Sequence, residues 1–286
     1  MREISSREHP LIKSAAALIR DKKHRLEQGL FVCEGLKMLE EALISGAQIQ
    51  TVLTVEEYQE SCLALTEQAE SPAEMVLISR SAAQKISDVK TPQGIFAIIK
   101  MLDKVSWADT IKGIDTLEKS LRASTMPSSL HLSIKKDGVF LALEDVRDPG
   151  NVGTIIRTAD AFGMEGVFLS PECADVYNSK TLRSTMGAVF RVPILQDVDL
   201  REVVMSGAAV CYATVLDAGA LSPQEIEVLS GSSVILFFGN ESKGLSQELI
   251  RACAKTVTIP MQGNAESLNV AVAAGIISYA VTEKRK

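Results

Sequence analysis

The chain has 286 residues, 46% of them hydrophobic and 23% charged, with a formal net charge of −6. That length holds two domains, each with a core of its own, and the composition is ordinary for a folded protein. It excludes a membrane-spanning helix, because no apolar run is long enough, and the acidic balance weighs against a protein that coats nucleic acid.

The opening MREISSREHP lacks the apolar core of a secretory signal. The first 25 residues carry seven basic side chains (Arg2, Arg7, Lys13, Arg20, Lys22, Lys23, Arg25) against three acids (Glu3, Glu8, Asp21). Their plain reading is a solvated helix face. The sharper one is a local patch that sets Lys22, Lys23 and Arg25 on RNA phosphates, within a Debye length of about 8–10 Å. Residues 13–27 predict a helix and Phe31-Val32-Cys33 a short strand. Residues 34–45 follow as a helix, with Leu36, Leu39 and Leu43 at helical spacing and Gly46 as its stop. Strands are expected over 50–55 and 74–79 around a helix near 56–68, then a short helix at 81–86. Thr91-Pro92-Gln93-Gly94 turns the chain into a strand over 95–100. No catalytic constellation stands out in this small α/β unit, 1–102, which reads as a binding module. Residues 103–138 are mixed and polar, a linker or peripheral insertion that contains Trp107.

The second half, 139–286, opens with strand VFLALEDV (139–146). Arg147-Asp148-Pro149-Gly150-Asn151-Val152-Gly153 then leads into a helix through Phe162, capped by Asp148 or Asn151, with Ile155, Ala159 and Phe162 toward a core. Arg157 falls about 200° round from Ile155. It is either a surface arginine paired with Asp160 or one presented into a cleft. Strands over 166–170, 190–195 and 209–215 alternate with segments at 180–188 and 200–206. VILFF (234–238) ends in Gly239-Asn240-Glu241-Ser242-Lys243-Gly244-Leu245. TVTIP (256–260) ends in Met261-Gln262-Gly263-Asn264-Ala265-Glu266-Ser267-Leu268-Asn269. Apolar strands alternating with helices predict a mostly parallel sheet covered on both faces, with ligands beyond the carboxyl ends of its strands. The last helix is apolar nearly all round. Val270, Ala274, Ile277 and Val281 line one face and Val272, Ile276 and Ala280 another, which predicts cover by its own sheet and by a second subunit.

Several chemistries fall away. Cys33, Cys62, Cys173, Cys211 and Cys253 are scattered without a CxxC pair and read as free thiols of a reducing cytoplasm, not as metal ligands. No Asp/Glu/His cluster has metal spacing. His9, His24 and His131 all lie outside the α/β half, which leaves no Ser/His/Asp set. The glycine turn at 149–153 lacks GxGxxG spacing and an acid after the next strand, and Ser242-Lys243 lacks the GKS or GKT of a phosphate loop.

Three elements remain: NxGxxxRTADAFG (151–163), FGNESKGL (238–245) and IPMQGNAESLNVAVA (259–273). Together, in this order, they closely resemble the three motifs of the SpoU/TrmH family of RNA ribose 2′-O-methyltransferases. The resemblance covers residues 139–281, and more loosely the N-terminal half, where FVCEGLKMLEEAL looks like the substrate-binding domain often attached in this family. It implies a SPOUT-type α/β fold with a deep C-terminal trefoil knot, a topology outside the usual rules. It also implies a homodimer, S-adenosylmethionine as cofactor, no metal, and RNA as substrate, ribosomal RNA favoured over tRNA by analogy. By position, Gly239, Asn240, Glu241 and Gly244 would shape the cofactor slot. Ile259, Met261, Leu268 and Asn269 would contact the cofactor, with Thr214 and Leu216 lining the same slot. Asn151, Arg157, Glu241, Ser267 and Asn269 match the catalytic set, and Arg183 a position linked with RNA phosphate. The family gives Arg157 the hydroxyl proton. An ordinary arginine, with a pKa above 12, is a poor base, so an orienting or charge-stabilising role is equally open. A rival reading is a non-catalytic RNA- or ribosome-binding protein that kept the fold. A second, a nicotinamide oxidoreductase, lacks its fingerprint.

Overall fold

The structure is a computed structural model that describes residues 2–67, 73–102, 138–229 and 231–285. Trp107 and nearly all of the expected linker lie outside the described residues. The chain divides into two units, Met1–Asp103 with Asp175–Phe190, and Lys104–Ala174 with Arg191–Lys286.

The first unit is built from β1 (Arg2–Ile4), α1 (Pro10–Arg20), α2 (Lys22–Gln28), β2 (Leu30–Glu34), α3 (Leu36–Ile44) and β3 (Ile49–Thr54). α4 (Gln59–Thr66), β4 (Glu74–Ile78), α5 (Arg80–Ile86) and β5 (Ile95–Lys100) complete its N-terminal part. The sheet runs β1-β4-β3-β5-β2, parallel from β1 to β3 and antiparallel across β5. Ile12, Leu18 and Ile19 of α1 pack with Ala82, Ala83 and Ile86 of α5 over Val32, Val76 and Phe96. The helix expected over 13–27 is two helices. Asp21 breaks it by turning extended (φ −120°, ψ 111°), closing α1 with its amide on the Ala17 carbonyl and capping α2 by accepting from Lys23 N at 2.8 Å. A short polar side chain that can bond nearby backbone favours such a break.

The second unit holds β6 (Val139–Leu143), α6 (Pro149–Ala161) and β7 (Gly166–Leu169). The chain returns to the first unit as α7 (Ser179–Thr185), then continues as β8 (Ile194–Leu195), α8 (Leu200–Met205) and β9 (Ala209–Thr214). β10 (Ser233–Phe238), α9 (Gln247–Ala252), β11 (Lys255–Val257) and α10 (Val270–Thr282) follow. The sheet order is β11-β9-β10-β6-β7-β8 and every pairing is parallel. Phe140, Ala142, Ile235 and Phe237 face α8 and α9 through Leu200, Val203 and Leu249. Their alternates Val139, Leu141, Leu143, Leu236 and Phe238 are equally buried, so both faces are covered; α6 and α10 pack together.

Two expected strands are shorter than their apolar runs. The strand expected over 190–195 shrinks to Ile194–Leu195, because Ala188–Phe190 forms a 3-10 turn and Pro193 has no amide for a ladder. The one expected over 256–260 ends at Val257, where Thr258 N turns to the Leu221 carbonyl at 2.8 Å. Among the described residues, no helix is long and apolar enough to cross a membrane.

Candidate active site

The sheet order creates a crevice. From β6 the chain steps outward to β7 and β8, then crosses back so that β10 enters between β9 and β6. Loops leaving β6 and β10 at their carboxyl ends therefore diverge, the usual place for a ligand in such sheets. The β6 loop starts with Asp145 in a left-handed conformation (φ 56°). Its carbonyl accepts from Asn240 Nδ2 at 2.8 Å, and its amide donates to Ser170 Oγ at 3.0 Å. Asp148 then caps α6, accepting from Asn151 N at 3.0 Å, with Pro149 beside it where a missing amide costs nothing.

The β10 loop folds back on itself. Asn240 and Gly244 exchange backbone hydrogen bonds of 3.1 and 2.9 Å, while Asn240 Oδ1 accepts from Ser242 N at 2.9 Å and Lys243 N at 3.1 Å. A side chain at Gly239 cannot be accommodated: its Cβ would lie 2.2 Å from the Gly244 carbonyl carbon and the Leu245 nitrogen. Gly244 has φ +68°, open to glycine at little cost.

These two loops and the start of α10 meet through side chains. Asn269 Nδ2 donates to Asn151 Oδ1 at 2.9 Å, and Asn151 Nδ2 donates to Glu241 Oε1 at 2.9 Å. Glu241 also accepts from Asp148 N at 3.2 Å and Arg147 N at 3.4 Å. Partial burial opposes ionisation of Glu241. The hydrogen bonds from Asn151 and from the amides of Glu241, Asp148 and Arg147 outweigh it and hold the carboxyl below its ordinary value. Asn269 keeps its oxygen for α10, accepting from Ala271 N at 2.9 Å and Val272 N at 3.2 Å. One asparagine thus caps a helix and orients a second. Reversing the Asn151 amide would set its oxygen against a carboxylate and its NH2 against another NH2, so the network assigns its orientation.

Other expected site residues stand apart from this network. Arg157 is exposed, with no hydrogen bond or ion pair among the described residues. The partner expected for it, Asp160, is instead held by Arg191, Nη2 to Oδ2 at 2.8 Å. Ser267 is exposed and leaves capping of α10 to Asn269. Thr214 ends β9 and Leu216 follows it, and Ile259, Met261 and Leu268 follow β11, all on the β9 side of β10. Leu216 is 74% exposed and Met261 37%, apolar side chains left in solvent at the same edge of the sheet.

The four basic residues expected on RNA have different fates. Lys22 and Lys23 are exposed, the latter 3.8 Å from Glu27. Arg25 is 3% exposed, with its guanidinium given to the carbonyls of Leu18 (2.7 Å) and Ile19 (3.1 Å) and to Asp175 (2.5 Å). It holds α2 and the 175–190 segment within the first unit and presents no surface to a ligand. Arg183 donates to both carboxylate oxygens of Asp88, at 2.7 and 3.4 Å. Burial raises the thiol pKa values, Cys211 to about 11 and Cys253 to about 12, and no group of three metal-ligating side chains occurs among the described residues. Sequence reasoning missed the backbone amides of Arg147 and Asp148. The Asp-Pro pair at 148–149 marks the helix start that aims them, but nothing in the sequence marks the left-handed turn at Asp145.

Residues 138–279 match the SpoU rRNA Methylase family and residues 9–97 the MRM3-like substrate binding domain. The chain is 32% identical to the 23S rRNA (guanosine(2553)-2′-O)-methyltransferase RlmP of Bacillus subtilis, across 98% of each chain. The AdoMet-bound rRNA methyltransferase from Sinorhizobium meliloti superposes with a TM-score of 0.79 at 32% identity, covering 99% of this chain and 98% of that one. AviRb from Streptomyces viridochromogenes, solved with AdoMet, gives 0.77 over 97% and 98% of the two chains; at 24% identity that likeness speaks to fold alone. This chain belongs to the SpoU family.

Proposed function

We propose that this protein methylates a ribose 2′-hydroxyl of ribosomal RNA with S-adenosylmethionine as donor. The observation that carries the reading is the join of Asn151, Glu241 and Asn269 from three separate turns at one edge of the parallel sheet. Those residues fit the cofactor. The β10 loop offers backbone at Gly239, Asn240 and Gly244, and exposed Leu216 and Met261 offer apolar walls for an adenine; Thr214, Ile259 and Leu268 flank them. The bound cofactor supplies a methyl group on a positively charged sulfur, open to in-line attack by an oxygen.

The chain's own residues then act by placement. Glu241, ionised and already accepting three hydrogen bonds, is a frame for Asn151 and not a proton acceptor. Arg157 carries a guanidinium free of protein partners among the described residues. It is available to neutralise charge that develops on the ribose oxygen as its proton leaves. Ser267, with no helix to cap, is left to touch substrate.

The same reading makes the C-terminal domain a deep trefoil knot and the protein a cytoplasmic homodimer. Its support for the dimer is the outer face of α10, where Val272, Ile276 and Tyr279 are 50%, 39% and 55% exposed, an apolar stripe that a second copy would cover. The division into 1–102, 103–138 and 139–286 stands as a functional one, substrate-binding, connecting and catalytic. Ribosomal RNA is favoured over tRNA by the relatives named above. The test is incubation of the purified protein with methyl-labelled S-adenosylmethionine and ribosomal RNA from a deletion strain. Label in one alkali-resistant dinucleotide is expected; label on a base, or none with tRNA labelled instead, contradicts the reading.

A further inference from the structure

The β10 loop, 239–246, is tied near both of its ends by two consecutive residues that follow β6. Near its start, Asn240 Nδ2 donates to the Asp145 carbonyl at 2.8 Å. At its finish, the Glu144 carboxylate accepts from Ser246 N at 2.6 Å with one oxygen and from Ser246 Oγ at 2.7 Å with the other. Glu144 is itself fixed through its backbone. Its amide donates at 2.9 Å to the carbonyl of Phe238, the last residue of β10.

The helix that follows does not need Glu144 for its cap. Ser246 caps α9 by accepting from Leu249 N at 3.2 Å. What the carboxylate adds is a fixed position for the end of the loop, through hydrogen bonds to an ionised acceptor, which are the stronger kind. Glu241, in the middle of the loop, has supports of its own in Asn151 and in the amides of Asp148 and Arg147. The limb from Gly244 to Ser246 relies instead on the bonds exchanged with Asn240, on burial of the Leu245 side chain and on Glu144. That limb lies so close to Gly239 that a Cβ there would fall 2.2 Å from its backbone. A shift of the limb therefore changes the backbone at Gly239 as well.

We propose that Glu144 is a positioning residue for S-adenosylmethionine, acting through Ser246 to hold the 244–246 limb where the loop's backbone meets the cofactor. It touches neither the cofactor nor the ribose. The inference rests on the cofactor slot proposed above at Gly239, Asn240 and Gly244.

The test uses the full-length protein with Glu144→Ala, Glu144→Gln and Ser246→Ala. Glutamine can still accept from Ser246 N and can donate to Ser246 Oγ, whereas alanine does neither. Calorimetry gives S-adenosylmethionine affinity, and single turnover on ribosomal RNA at saturating cofactor gives the transfer rate. Glu144→Ala should bind the cofactor about tenfold more weakly, the scale of lost hydrogen bonds to a charged group. Its transfer rate at saturation should stay within about twofold of wild type, because Glu241 keeps its own supports. Glu144→Gln should restore affinity. Ser246→Ala, which keeps the amide and loses the hydroxyl, should fall between the two and carries the test if Glu144→Ala does not fold. Wild-type affinity in Glu144→Ala and Ser246→Ala would overturn the assignment, as would a loss confined to the transfer rate. So would a Glu144→Gln protein that binds as weakly as Glu144→Ala. A wild-type protein that binds no S-adenosylmethionine would overturn the slot as well.

Discussion

Arg25 and Arg157 belong to the two units and have opposite fates. Arg25 is buried and bonded to two carbonyls and a carboxylate. Arg157 projects from α6 with no protein partner among the described residues. Two more arginines of the first unit are used in the same way, Arg20 bonding the carbonyls of Ala16, Lys85 and Ser87, and Arg183 bonding Asp88. A guanidinium with five donors is a good strut wherever carbonyls converge, and a strut has nothing left for a substrate. Counting basic residues along a sequence thus overstates the surface they offer. What separates a structural arginine from a functional one is whether the fold supplies its acceptors.

That contrast can be broken at its structural end. Arg25→Ala leaves Asp175 without its partner and the Leu18 and Ile19 carbonyls without a donor. The expected cost is about 3–5 kcal/mol, read as a fall in the denaturation midpoint; an unchanged midpoint would mean that Arg25 is no strut. The next effect falls in the second unit. Asn151→Asp sets two carboxylates 2.9 Å apart where an amide now donates to Glu241. Turnover should fall about 10²-fold through misplacement, with the variant still folded; near-normal turnover would detach the network from the chemistry. Gly239→Ala drives a methyl into the backbone of Gly244 and Leu245. It should cost about 1–3 kcal/mol of stability and weaken S-adenosylmethionine binding in calorimetry, and wild-type behaviour would show that the loop adapts.

The smallest effect is in acid. Because the Glu241 pKa is depressed in the folded state, its contribution to stability is present above its ordinary value of 4.5 and is lost as pH falls through the lower folded value. Melting curves of wild type and Glu241→Gln should therefore converge below about pH 4.5, within the acid limb. A constant gap between them down that limb would show that Glu241 is not held ionised.

Much of the second unit was legible in its residues. Continuous apolar strands and polar loops that lead into helices pointed to the parallel sheet, and three motifs in order pointed to Asn151, Glu241 and Asn269, which the fold brings within hydrogen-bonding distance. The errors share a cause. The strand end at Val257 and the burial of Arg25 depend on acceptors supplied from elsewhere in the chain, the Leu221 carbonyl and Asp175, while the breaks at Asp21 and before Ile194 turn on which local backbone bonds are made or missing. Periodicity reports which face is apolar and is silent on where an amide or guanidinium finds its partner. Of the two readings open for Arg157, pairing with Asp160 gives way to a partner distant in sequence, Arg191.

The most direct measurement compares wild type with Arg157→Ala for both S-adenosylmethionine affinity and single-turnover methyl transfer to ribosomal RNA. The expected result is unchanged cofactor affinity with transfer slowed by about 10²–10³-fold, the loss of one charge-stabilising group. Transfer at the wild-type rate would show that the unengaged guanidinium has no part in the reaction.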